Sequence, residues 1–224
     1  MYAEDSVASD YRAQALPPGV RWVHRSRILA DNYRDVEDVA YLSGLAESMR
    51  AGFDEQASPY PPARQVTVDI HGEDVYRLIA GHHRLEAWCG ADYLNREWFP
   101  IRPQANLGSE QSNRKADALL QARENTRKED TELDIARACA KCLDAGATEE
   151  EAAFAKGLVR KIPDGHNADG EPKYRTVANL PLLHQRLCLL NLPPDMVTEL
   201  RAGRLLLSAA QAIGAQPSDL HLAL

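Results

Sequence analysis

Gly81, His82, His83 and Arg84 stand where a β-prone run, Asp74 to Ile79, meets a helix-forming run, Arg84 to Cys89. Glycine permits a tight strand exit, the N–H groups at a helix start point at whatever lies above the turn, and Arg84 adds fixed positive charge to the helix dipole. This is the chemistry of a phosphate site; an ordinary strand-to-helix turn has the same letters. A second cluster is basic. Arg160, Lys161, Lys173 and Arg175 flank the turn sequences Pro163-Asp164-Gly165 and Ala168 to Pro172, on two short β-compatible runs that predict a hairpin over residues 158–178. Such a segment either meets a polyanion or is a solvated excursion. Cys139 and Cys142 invite a metal or redox reading, but they share one face of a helical run beside apolar neighbours, with no second cysteine pair to complete a zinc tetrahedron. Core packing is the expectation.

Two regions must position these groups. Residues 21–110 alternate strand and helix patterns: a strand from Arg21 to Leu29, a helix from Val39 to Ala51, strands Gln65 to Ile70 and Val75 to Ala80, the helix Arg84 to Cys89, and a strand Trp98 to Arg102. Such alternation predicts a small domain around one sheet. Residues 111–215 are helical apart from the hairpin. The expected helices run from Lys115 to Arg123, from Leu133 to Leu143 with Gly146 as the stop, from a Thr148/Glu151 capping box to Lys156, from Leu182 to Leu190 with Pro181 at the first helical position behind Asn179, from Asp195 to Ala202, and from Ser208 to Ile213. Residues 1–20 read as a flexible lead-in and 216–224 as a tail. The fold class is therefore α+β.

With 224 residues the chain is long enough for two small cores. No apolar stretch approaches the ~20 residues of a membrane span, and the first residues (MYAEDSVASDYR) lack the apolar core of a secretory signal. Four scattered cysteines form no disulfide framework, so a reduced, cytoplasmic setting is expected. The net charge of −7 repels a polyanion at long range. From Ala147 to Arg204, however, eight basic residues face eight acidic ones, so the acidity resides in the first half.

Gly81-x-x-Arg84-x-x-Ala87 between a strand and a helix resembles the signature loop of the ParB/sulfiredoxin superfamily. Glu124-Asn125-x-x-Lys128 resembles the E-N-x-x-R segment of ParB proteins, and Ile28 to Gly52 resembles their opening strand, asparagine-containing bend and first helix. Further on, GATEEEAAFAKG, LCLLNLPPDMVTELRAGRL and LSAAQAI are similar to the ParB helix-turn-helix and the helices after it. The resemblance covers roughly residues 22–213. It implies a mixed-sheet ParB/sulfiredoxin-like nucleotide-binding domain followed by an all-α helix-turn-helix domain carrying an inserted hairpin. It also implies a partition or regulatory protein of plasmid, phage or mobile-element type that binds double-stranded DNA, works as a homodimer and has a ParA-type ATPase as its partner.

By the same resemblance the first domain binds CTP with magnesium, and slow hydrolysis resets a DNA clamp. Gly81, His82, His83 and Arg84 would cradle the phosphates, Asn125 would ligate magnesium, and Glu124 would stand near the ion or the attacking water. The alternative for Glu124-Asn125 is a polar helix cap. His184, Gln185 and Arg186 fall on the expected recognition helix. The chain departs from the family at several points. Two histidines replace the usual Glu-Arg after Gly81, Lys128 replaces an arginine, and Cys188 replaces the arginine of the LRLLxLP segment. Gly52 to Pro62 replaces the segment that leads into the next strand, which leaves the nucleotide base open, and residues 158–178 lengthen the turn of the helix-turn-helix. Sulfiredoxin chemistry is disfavoured, because His82 stands where that enzyme has its reactive cysteine. An enzyme of the same superfamily, a small-molecule kinase or a nuclease with a helical assembly domain, is the competing expectation.

Overall fold

The computed structural model describes residue 12 and residues 15–30, 39–50, 52–53, 60–124, 131–167, 169 and 171–216. Most of the expected lead-in, the asparagine-containing bend, Asn125 and nearly all of the tail lie outside the described residues. The chain divides into two compact units, one ending at Ser109 and the other beginning at Glu110.

The first unit is a five-stranded mixed sheet with two helices. Its elements are β1 (Arg21–His24), β2 (Ile28–Leu29), α1 (Val39–Met49), β3 (Pro62–Val68), β4 (Asp74–Leu78), α2 (His82–Cys89) and β5 (Trp98–Gln104), with strand order β1-β5-β3-β4-β2. β1 runs antiparallel to β5, β5 parallel to β3, β3 antiparallel to β4, and β4 parallel to β2. The single strand expected over Arg21 to Leu29 is broken by a 3-10 turn at Arg25–Arg27. The cause is long-range: the Arg25 N–H donates to Glu97 O at 2.8 Å, and the His24 ring accepts from the Ser26 N–H. The β3–β4 turn is set locally, by Asp69 Oδ1 accepting the N–H groups of His71 and Glu73 at 2.8 and 2.9 Å.

Aromatic side chains fill this core. Phe53 lies 4.8 Å from the Trp88 ring and 5.6 Å from those of Tyr60 and Phe99, while the Trp88 indole N–H donates to Trp98 O at 2.7 Å. Phe53 and Tyr60, both buried, thus anchor the two ends of the segment that departs from the ParB pattern. Every basic Lys/Arg position before residue 115 is arginine. Several of these guanidiniums brace the backbone: Arg25 donates to Cys89 O and Arg96 to Arg50 O, each at 2.8 Å, and Arg64, itself buried, donates to Ala105 O. The first two satisfy carbonyls at the ends of α2 and α1, where a cation also complements the helix dipole.

The second unit comprises α3 (Glu110–Glu124), α4 (Glu132–Asp144), α5 (Glu149–Ala155), the hairpin β6 (Val159–His166) and β7 (Pro172–Ala178), α6 (Leu180–Leu187), α7 (Pro194–Arg201) and α8 (Leu207–Gly214). Capping boxes open α4 at Thr131/Asp134 and α5 at Thr148/Glu151, and Gly146 at φ 88° follows the C-terminus of α4. Alanines 118, 122, 138, 152 and 155 form one core with Cys142, small side chains that let α3, α4 and α5 approach closely. Cys139 joins Ala153, Leu158 and Leu183 in another. Burial pushes the Cys139 thiol up to about 12 and the Cys142 thiol up to about 11, so both pack as neutral thiols.

α6 is shorter than the Leu182 to Leu190 helix expected, and Leu180 rather than Pro181 is its first residue. A 3-10 turn, Cys188–Asn191, follows it. The close approach of α8 accounts for this: a Cβ on Gly214 would lie 2.1 Å from Cys188 O, and Asn191 Nδ2 donates to Gly214 O at 3.0 Å. Among the described residues no helix is long and apolar enough to cross a membrane.

Candidate functional site

α2 begins two residues earlier than its sequence pattern suggests, and this changes what the loop presents. Gly81 is the N-cap at φ 90°, ψ 26°, and with no side chain it supplies no capping hydrogen bond. His82, His83 and Arg84 are consequently the first three helical residues, whose N–H groups have no intrahelical acceptor. A left-handed cap without a side chain supplies no acceptor of its own to that donor array, an arrangement that suits an anion. Glycine is also required sterically. A Cβ at this position would lie 2.9 Å from Pro61 Cβ, 3.0 Å from Pro61 Cγ and 3.2 Å from Arg84 Nε, which places the Arg84 side chain back beside the turn.

The surroundings of the loop hold it rigidly. Ile79 and Ala80 are buried, and the Ile79 N–H donates to Pro62 O at 2.9 Å. The Leu85 N–H donates to Gly81 O at 3.0 Å, closing the first helical turn. His83 meets Tyr41 of α1 edge to face, ring centroids 5.5 Å apart, and His82, His83 and Arg84 are all half-buried. The four expected phosphate-loop residues therefore converge on one helix start. Glu124 is the last residue of α3 in the second unit, half-buried, and Asn125 lies outside the described residues.

In the second unit the four expected basic residues lie on the two arms of β6–β7, which the backbone register assigns to opposite faces. Arg160 pairs with Val177 and Ile162 with Arg175, whereas Lys161 pairs with Thr176 and Pro163 with Tyr174. Directly opposed residues share a face and successive residues alternate. Arg160, Arg175 and Lys173 accordingly share one face, and Lys161 belongs to the other with Tyr174.

The three residues expected on the recognition helix have different surroundings. Gln185 is exposed. His184 Nε2 lies 3.1 Å from Glu149 Oε1 of α5. Arg186 is largely buried, 13% exposed, and its Nε is ion-paired with Glu132 of α4. The guanidinium thus braces α6 against α4 instead of projecting with Gln185. Sequence reading missed this pair because its members are far apart in the chain. It likewise missed the links that fix α5, where Lys115 Nζ lies 2.8 Å from Glu151 Oε2 and the buried Lys156 donates to Ala122 O at 3.4 Å. The Lys115 hydrogen bond, then the Thr148 N–H, holds the Glu151 carboxyl below its usual range.

No family model matches the chain, and no curated protein matches it. Among solved structures it is similar to the C-terminally truncated chromosome-partitioning protein ParB from Caulobacter crescentus complexed to the centromeric parS site. The identity is 17% and the TM-score 0.52, over 91% of this chain and 89% of that one. A second structure of that truncated ParB, complexed with CTP-gamma-S, matches at 19% identity and a TM-score of 0.34, over 92% of this chain and 98% of that one. With the mixed sheet, the glycine-capped α2 and the helical second unit in the same chain, the first of these likenesses identifies the fold as ParB-like.

Proposed function

We propose that this is a ParB-like DNA-binding protein of partition or regulatory type, whose first unit binds a nucleoside triphosphate, CTP with magnesium, and thereby gates duplex binding by the second. The observation that carries the reading is the α2 start, a phosphate-suited donor array within a ParB-like fold. The backbone N–H groups of the first helical turn would take phosphate oxygens, and Arg84 would add a charge-assisted contact. Magnesium is commonly held by one or two protein oxygens together with phosphate oxygens and water, so the Glu124 carboxylate and the Asn125 amide are a fitting donor pair. When bound, the ion would neutralise triphosphate charge. Glu124 would then orient the attacking water in a slow CTPase step.

The duplex would meet the basic hairpin and α6, where Gln185, and His184 once released from Glu149, are within the chemistry of base-edge readout. Plasmid, phage or mobile-element origin, a cytoplasmic setting, a homodimer and a ParA-type ATPase partner complete the proposal.

Titration with each of the four ribonucleoside triphosphates, with and without magnesium and with random duplex, tests it. The expected result is magnesium-enhanced affinity for CTP and a change in duplex affinity when CTP is added. Absence of both triphosphate and low-salt duplex binding would overturn it and favour an enzyme whose helical half is an assembly module.

A further inference from the structure

The β6–β7 hairpin is more than a lengthened turn. Its strands are eight and seven residues long, and from Val159 to Thr176 its described residues are exposed except Ile162. Eight residues of strand extend about 26 Å, the length of about eight base pairs at the ~3.4 Å rise of B-DNA. Charge is segregated along it. The arms carry Arg160, Lys161, Lys173 and Arg175, whereas the acidic residues Asp164, Asp169 and Glu171 lie at the tip. None of the four cations is held in an ion pair within the described residues.

Register then divides the arms. Arg160 and Arg175 are diagonal neighbours, since Arg160 opposes Val177 and Arg175 opposes Ile162. Diagonal positions on a ribbon are about 7–8 Å apart, and Lys173 continues the same row. Arg160 and Arg175 are like charges side by side, and Lys173, which faces the Asp164-Gly165 bulge across the ribbon, extends their row; their mutual repulsion is relieved by an external polyanion. A two-stranded ribbon also fits the width of the DNA major groove.

We propose that β6–β7 is a second DNA-contacting element, a ribbon that lies along the duplex beside α6, presents the Arg160/Lys173/Arg175 face to it and turns the Lys161/Tyr174 face away. The inference rests on the DNA-binding reading above and deepens it. Its consequence is an asymmetry among four cations of one hairpin. The ribbon also lengthens the DNA site.

The test uses the full chain and single alanine substitutions of Arg160, Lys161, Lys173 and Arg175, each checked for unchanged circular dichroism and melting. Duplex affinity is measured by fluorescence anisotropy across a range of salt, and the shortest duplex bound at full affinity is determined. Each lost phosphate contact removes about one unit from the log–log salt slope. Arg160→Ala, Lys173→Ala and Arg175→Ala should each lower the slope by about one unit, Lys161→Ala by less than half as much, and the triple variant should accept a shorter duplex. Equal losses at all four positions would overturn the face assignment. Unchanged slopes in every variant, with a wild type that binds duplex, would overturn the ribbon as a DNA element and leave the broader reading standing. A wild type that binds no duplex would overturn both.

Discussion

Pro61 occupies the space that a side chain on residue 81 would need: its Cβ lies 2.9 Å from the position of a Gly81 Cβ. The loop is thus set by two independent restrictions, a positive φ and a proline wall. Gly81→Ala should cost about 1–2 kcal/mol for the left-handed backbone and a further 1–3 kcal/mol or so for crowding. Urea unfolding would measure it, and a variant as stable as wild type would show that Pro61 yields freely.

Arg84 is the permanent charge of the loop. Arg84→Ala should weaken triphosphate binding by roughly 1.5–3 kcal/mol, the worth of a charge-assisted contact. That corresponds to a roughly 10-fold to 150-fold rise in Kd by calorimetry. Equal affinities of the two proteins would refute a phosphate role.

Magnesium dependence should separate the next two residues. Asn125→Ala deletes an oxygen ligand without changing charge and should abolish the enhancement by magnesium, whereas Glu124→Gln should slow hydrolysis more than it weakens binding. Parallel calorimetry with and without the ion would decide this. A variant at Asn125 that keeps the full enhancement returns the dipeptide to the role of a helix cap.

Arg186 and Glu132 should behave as a stabilising pair. Because the guanidinium is largely buried, Arg186→Ala and Glu132→Gln should each cost about 1.5–3 kcal/mol, and the double variant should cost less than their sum. Gln185→Ala, by contrast, should change which duplex is preferred and leave melting almost unaltered. Selection of bound sequences from a random pool would reveal the shift.

Acid should loosen α5. The Glu151 carboxyl is held below its usual value of 4.5 by Lys115 first and then by the Thr148 N–H. A depressed folded-state pKa stabilises above the unfolded pKa, and that contribution is lost as pH falls through the folded value. Glu151→Gln should therefore melt lower than wild type at neutral pH, with the gap narrowing on acidification. Thr148→Ala, which removes the N-cap oxygen, should cost about 1 kcal/mol. A gap that is constant with pH would mean that the carboxylate is not what supports the helix.

Features written in a few neighbouring residues were legible in the sequence. Both capping residues of α5, the Gly146 stop and the two arms of β6–β7 follow from local propensity, and the structure has them. The phosphate-loop residues were legible as types, but not the two-residue earlier start of α2, because the cap is a left-handed backbone conformation and the room for a side chain there is closed by the distant Pro61. Three other features depend on distant partners: the break after His24 requires Glu97, the short α6 requires Gly214, and the burial of Arg186 requires Glu132. No local pattern encodes such meetings. The division of the hairpin cations between two faces depends on register, which a one-residue slip would reverse.

The all-arginine first unit has a practical corollary. Lys115 is the earliest lysine, so a protease that cleaves only after lysine leaves residues 1–115 in one piece, whatever it does to the remainder. Acetylation and amine-directed cross-linking of side chains are confined to the other half in the same way. The guanidiniums that hold Cys89, Arg50 and Ala105 are outside the reach of such modification, and lysine-based control within these 224 residues acts through the helical half.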